Sequence, residues 1–127
     1  MAIVSRSIAR PLFWAAAAFA FVMAVIPHPP HLPGSPSDKF QHIVAFLVLA
    51  ALGRLAYPAT RKRKLLLGLA AFGAIIEIAQ AIPALHRDTD PLDWLADVAA
   101  ATAVFAAIAL WHRRKRDGDL PAPSEPQ

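Results

Sequence analysis

LLLGLAAFGAIIEIAQAIPAL, residues 65–85, is an apolar run long enough to cross a bilayer, and it carries Glu77 and Gln80 inside it. A carboxylate at the centre of a membrane helix costs roughly 2.5–3.5 kcal/mol on insertion scales, so it is expected to face protein or water and to have partners. Glu77 and Gln80 are three apart and share a face. Pro83 removes a bond to the Ala79 carbonyl and weakens or ends the helix there. Gly68, Ala70, Ala71, Gly73 and Ala74 are small enough for neighbouring backbones to approach closely.

Working upstream, Arg61, Lys62, Arg63 and Lys64 form a basic turn, and before it SPSDKFQH opens a second apolar segment. Ser35, Pro36 and Asp38 stand in the order N-cap, first helical residue, acidic third position. Asp38 and His42, four apart, share a face one turn apart in depth, and Arg54 reaches the interface at the far end. The stretch 27–36, PHPPHLPGSP, holds five prolines and reads as a stiff extraplasmic loop in which His28 and His31 are solvated. Arg6 and Arg10 precede the first apolar run, Leu12 to Ile26, whose helix is expected to start near Ser7 with Arg10 snorkelling. A cleaved signal peptide shares that basic start, but no clear small-x-small site follows.

Downstream, HRDTDPLD (residues 86–93) is a short charged loop, and Asp90, Pro91 and Asp93 repeat the cap, proline, acid order. Asp97 follows Asp93 by four, as His42 follows Asp38. The fourth helix ends near Trp111, with an alanine face through Ala99, Ala103 and Ala107 suited to tight packing. Residues 117–127 are polar and Pro-rich, a composition expected of a disordered cytoplasmic tail.

The 127 residues are 57% hydrophobic, with positive mean hydropathy of +0.44, favouring a small membrane protein of one domain, 1–116. The expected fold class is all-α, an integral bundle of four transmembrane helices at about 8–26, 36–57, 65–83 and 91–111. The net charge is +4, and ten of the thirteen basic residues fall in three groups abutting apolar runs. That placement is explained by membrane orientation, so no nucleic acid is expected as a partner. Four spans put all three groups on one side, which the positive-inside rule makes cytoplasmic, N-in and C-in. Of nine acidic residues, Asp38, Glu77, Asp88, Asp90, Asp93 and Asp97 all belong to the opposite half. Trp94 and Trp111 mark the two interfaces. There are no cysteines, which excludes disulfides and thiolate chemistry. Nor is there a P-loop, dinucleotide fingerprint, zincin pair or nucleophile elbow.

With these motifs in place, the region 38–101 resembles the VanZ-like family of bacterial membrane proteins. The family's Asp-Lys-x-x-His matches Asp38, Lys39 and His42, with Phe46 continuing the pattern. Its Glu-x-x-Gln matches Glu77 and Gln80, and its Arg followed six residues later by Asp matches Arg87 and Asp93. Where the family usually has Asn and then Gly, this chain has Asp97 and Ala100. The resemblance implies a multi-pass protein of the bacterial inner membrane, in a family named for a member linked to teicoplanin resistance and carrying no agreed biochemical activity.

The functional expectation is an outer-leaflet polar site that binds or processes a lipid-linked component of the cell envelope, or contributes to glycopeptide resistance. Its partners are the lipid bilayer and an anionic headgroup ligand. Arg87 and Lys39 engage that headgroup, Asp38, Gln80, Asp93 and Asp97 complete the binding set, and His42 or Glu77 is the candidate general base. Some of Asp38, His42, Glu77, Asp93 and Asp97 could hold a divalent ion, since hard cations take carboxylates and imidazole suits transition metals. No cofactor is specified. A small proton-coupled transporter and a noncatalytic scaffold are the alternatives.

Overall fold

The computed structural model describes residues 2–27 and 38–118, excluding the side chains of residues 2–5 and of Asp38. The loop 28–37, with its histidines and the expected Ser35 cap, and the tail beyond 118 lie outside the described residues. Four helices follow in order: α1, Ala2–Val25; α2, Asp38–Ala56; α3, Lys62–Gln80; and α4, Pro91–Gly118. A single 3-10 turn, Pro83–Leu85, follows α3. Three helices, α1 (from Arg6), α2 (from Lys39) and α4, are long and apolar enough to cross a membrane. In α3, also 19 residues long, Lys62, Arg63, Lys64 and Glu77 shorten the apolar run.

The helix ends follow local chemistry, with some departures from the expected bounds. α1 begins at Ala2 rather than near Ser7 and carries Pro11 inside it. Of the basic turn, only Arg61 stays outside α3, because the reversal is made earlier, by residues 57–61. There the Arg54 guanidinium donates to the Pro58 and Thr60 carbonyls at 2.6 and 3.2 Å, tying down the end of α2. At the other end of α3 the Ala81 N–H still bonds the Glu77 carbonyl at 3.0 Å, and Pro83 then opens the 3-10 turn. His86 reverses the chain in the left-handed region, φ 50°. α4 starts as expected: Pro91 is its first residue and the Asp90 carboxylate accepts the Leu92 N–H at 2.9 Å. It then runs to Gly118, seven residues past Trp111, because the basic stretch is itself helical.

α2 packs against both α1 and α4, and α3 packs most closely on α4. The core is built from Phe46, Leu49 and Ala50 of α2, Leu69 and Ile76 of α3, Ala100, Ala101 and Phe105 of α4, and Ala17 and Ala24 of α1. At Gly73 α3 comes close to its neighbours. A Cβ there would lie 3.2–3.3 Å from Trp94, the Asp97 carboxylate and Phe46. The Trp94 indole N–H donates to the Ala70 carbonyl at 2.9 Å, so this tryptophan fastens α4 to α3.

The expected alanine face of α4 is turned outward: Ala99, Ala103 and Ala107 are exposed, while Asp93, Asp97, Ala100, Ala101 and Phe105 are buried. Burying two carboxylates against α2 fixes the rotation of α4, and the alanine stripe goes where that rotation leaves it. Outward-facing Phe19, Leu67 and Ile78 are about 70% exposed, the pattern of a surface whose solvent is hydrocarbon.

At the pole carrying the basic groups, Arg10 does more than snorkel. Its guanidinium stacks over Tyr57 and donates to the Ala56 carbonyl at 3.3 Å, while the Trp14 indole N–H donates to the Tyr57 hydroxyl at 2.9 Å.

Candidate functional site

The opposite pole gathers ionisable groups from three helices. Lys39 and His42 project from the first turns of α2, Glu77 from the last turn of α3, and Asp93 and Asp97 from the first turns of α4. The i, i+4 spacing within α2 and within α4 puts each pair on one face, and the two faces meet.

Two layers result. In the outer layer the Lys39 ammonium lies 2.8 Å from an Asp93 oxygen and 3.2 Å from an Asp90 oxygen, with Lys39 and Asp90 both about half exposed. The Leu92 N–H and then the Lys39 ammonium hold the Asp90 carboxyl below the ordinary carboxylate range. One helical turn deeper, His42 Nδ1 lies 3.2 Å from Asp97 Oδ2. His42 is 8% exposed and Asp97 not at all. With Asp97 ionised, Nδ1 would carry the proton of that bond, because a carboxylate can only accept. Asp97 Oδ1 is buried without a hydrogen-bond partner.

Glu77 completes the deeper layer. Thr89, in the loop before α4, donates its hydroxyl to Glu77 Oε2 at 2.8 Å, and Oε1 is buried without a hydrogen-bond partner. One donor atom each from His42, Glu77 and Asp93 falls within a mutual 4.8 Å, so among the described residues this trio is the group spaced to hold a metal ion.

The sequence-derived set divides in the structure. Lys39, His42, Glu77, Asp93 and Asp97 come together. Gln80 is turned to a different neighbour: its amide donates to the Ala24 carbonyl of α1 at 3.1 Å, at 1% exposure. Arg87 and His42 both line the wall of a groove. Asp38 is the first residue of α2, and its side chain lies outside the described residues. Thr89 and Asp90 were not among the site residues read from the sequence. The cap pattern at Asp90 was a visible signal, whereas nothing in the spacing pointed to Thr89.

The groove runs between α1 and α2, encloses about 440 Å³ and is walled by apolar side chains such as Ala16, Ala20 and Met23 of α1 and Val44 and Val48 of α2. Gln41, His42 and Arg87 are its polar end. Its α2 wall, from Phe40 to Leu49, extends ~14 Å at about 1.5 Å per residue. That is close to half of the ~30 Å hydrocarbon thickness of a bilayer, the depth of one leaflet.

Comparison with protein-family models, with curated proteins and with solved structures finds no match for this chain.

Proposed function

We propose that the chain is a VanZ-like membrane protein with four spans, α3 being the fourth, and with both termini in the cytoplasm. Its polar pole then lies in the outer leaflet and binds the anionic headgroup of a lipid-linked component of the bacterial cell envelope. The observation that carries this reading is the groove: an apolar trough one leaflet deep that ends on His42 and Arg87 fits a single hydrocarbon chain below and an anion above. A processing step on the bound headgroup would draw on His42 and Glu77.

The transporter alternative is disfavoured by what lies beneath the cluster. Phe46, Leu49, Ile76, Ala101 and Phe105 form an apolar plug, and among the described residues this buried cluster holds no ionisable group to hand a proton onward. The scaffold alternative is disfavoured by the orphaned oxygens of Glu77 and Asp97, which fastening alone does not need.

The test is lipid retention. Native mass spectrometry of the protein released from nanodiscs should show bound anionic single-site lipid in the wild type. Ala20→Trp, which fills the groove, and Arg87→Ala, which removes its cation, should each lower occupancy severalfold. Equal occupancy in all three proteins would defeat the reading, as would reporter fusions that place the 57–61 turn outside the cell.

A further inference from the structure

We infer that His42, Glu77 and Asp93 form a binding site for one divalent transition-metal ion of the zinc or manganese class, with Asp97 as the residue that positions the His42 ring. Three observations support it independently of the groove. First, the three donors come from three different helices yet converge within 4.8 Å, with His42 and Asp93 both buried. One imidazole and two carboxylates suit zinc, manganese or iron, and are too nitrogen-rich for a magnesium cage.

Second, the cluster carries carboxylate oxygens that its contacts leave unsatisfied. Among the described residues the Lys39 ammonium pairs with Asp93 and is shared with Asp90, and Arg87 lines the groove at the same pole. A buried carboxylate oxygen with no donor is costly to keep, and among the described residues Glu77 Oε1 and Asp97 Oδ1 are both orphans, Asp97 being completely buried and joined to His42 through its other oxygen.

Third, His42 Nδ1 lies 3.2 Å from Asp97 Oδ2, so the Nδ1–H tautomer would donate to that carboxylate and leave Nε2 as the ligand atom. A metal-binding histidine almost always gives its other ring N–H to a carboxylate or carbonyl, which fixes the tautomer and makes the ring a stronger ligand. Zinc bonds of about 2.1 Å want tetrahedral donors roughly 3.4 Å apart, so the trio must draw in by up to about 1.4 Å. Glu77, partly exposed and the longest of the three, supplies that movement by rotation. The Lys39 ammonium on Asp93 then competes with the ion for that carboxylate. A bound cation converts His42 and Glu77 from proton carriers into holders of a Lewis acid, and its open positions would accept an anionic headgroup. Only that last link rests on the proposed function.

The experiment uses the full chain, untagged by histidine, in nanodiscs without anionic lipid, stripped with chelator and titrated calorimetrically with Zn²⁺ and with Mn²⁺. Co²⁺ absorption serves as a coordination probe. We expect one site of micromolar or tighter affinity for at least one ion. It should be lost in His42→Ala and Glu77→Gln, weakened about 10–100-fold in Asp97→Asn, and tightened in Lys39→Ala. Because His42→Ala could destabilise the bundle, the isosteric Glu77→Gln carries the decision, with circular dichroism to verify its helices. Wild-type protein that takes up neither ion stoichiometrically overturns the inference. So does uptake that survives Glu77→Gln, which would assign the ion to histidines elsewhere. Lipid retention without metal uptake would sink this inference and spare the proposed function, and the converse would do the opposite.

Discussion

His42 and Asp97 meet across the α2–α4 interface, Nδ1 3.2 Å from Oδ2, and the carboxylate has no exposure. Removing one partner of a buried pair leaves the other uncompensated, a loss of about 3–5 kcal/mol. His42→Ala should therefore lower thermal stability in detergent markedly. Asp97→Asn keeps an oxygen for the ring N–H and removes the charge, so it should cost less. The double variant His42→Ala, Asp97→Leu should recover much of the loss, since the stranded charge is gone. A His42→Ala protein that melts with the wild type would show that this pair does not hold the helices.

Gly73 and Gly68 lie on the same helix in opposite circumstances. A methyl at Gly73 would press on Trp94, Asp97 and Phe46 at 3.2–3.3 Å, whereas one at Gly68 meets nothing within 4 Å. Overpacking of this kind costs typically about 1–3 kcal/mol. Replacing an exposed helical glycine by alanine gains up to about 1 kcal/mol. Gly73→Ala should thus be destabilised and Gly68→Ala neutral or stabilised in a denaturation series. The reverse order would contradict the close approach of α3 and α4.

Much of this arrangement was legible before the coordinates. The apolar runs, the cap, proline and acid order of Asp90, Pro91 and Asp93, and the crowding of acids at one pole follow from local pattern. What the pattern could not supply was the rotation of each helix. Glu77 and Gln80, three apart, point ~60° away from each other at 3.6 residues per turn. That is enough for Glu77 to meet Thr89 while Gln80 meets Ala24. Likewise Ala99, Ala103 and Ala107 look as suitable for packing as Ala100 and Ala101. The choice between the two stripes is made by the need to bury Asp97, which is a tertiary fact. The bounds of α1 and α4 slipped because charged residues at a helix end mark where lipid stops, not where the backbone bonds stop.

Gln80 offers a test that separates a structural tie from a ligand site. Its amide N–H₂ donates to the Ala24 carbonyl in a position 1% exposed. Gln80→Leu forfeits one hydrogen bond, a net loss of about 1 kcal/mol, but leaves an apolar side chain in an apolar place. Gln80→Glu sets a carboxylate against a carbonyl, two acceptors with no proton between them, and should be the worse variant near neutral pH. Both should leave metal uptake by His42, Glu77 and Asp93 unchanged. Loss of uptake in Gln80→Leu, with helicity intact, would place this amide in the site after all.

Asp90 sets the acid limb of stability at the outer layer. Its Oδ1 accepts the Leu92 N–H and its Oδ2 the Lys39 ammonium, and both hold the carboxyl below the ordinary range. A depressed folded value means that the ionised carboxylate stabilises the fold. That contribution is complete above the unfolded value, about 3.9, and vanishes as pH falls through the lower folded value. Asp90→Asn retains an oxygen for the Leu92 N–H and loses the ion pair, so the stability gap between wild type and variant isolates the titration. The gap should be constant above about pH 5 and close progressively in more acid solution. Other carboxylates titrate in both proteins and largely cancel. Because Asp90 and Lys39 are about half exposed, the gap should also narrow with added salt. A gap that widens on acidification would mean that Asp90 is held above its ordinary value, and the Lys39 contact would then have the wrong sign.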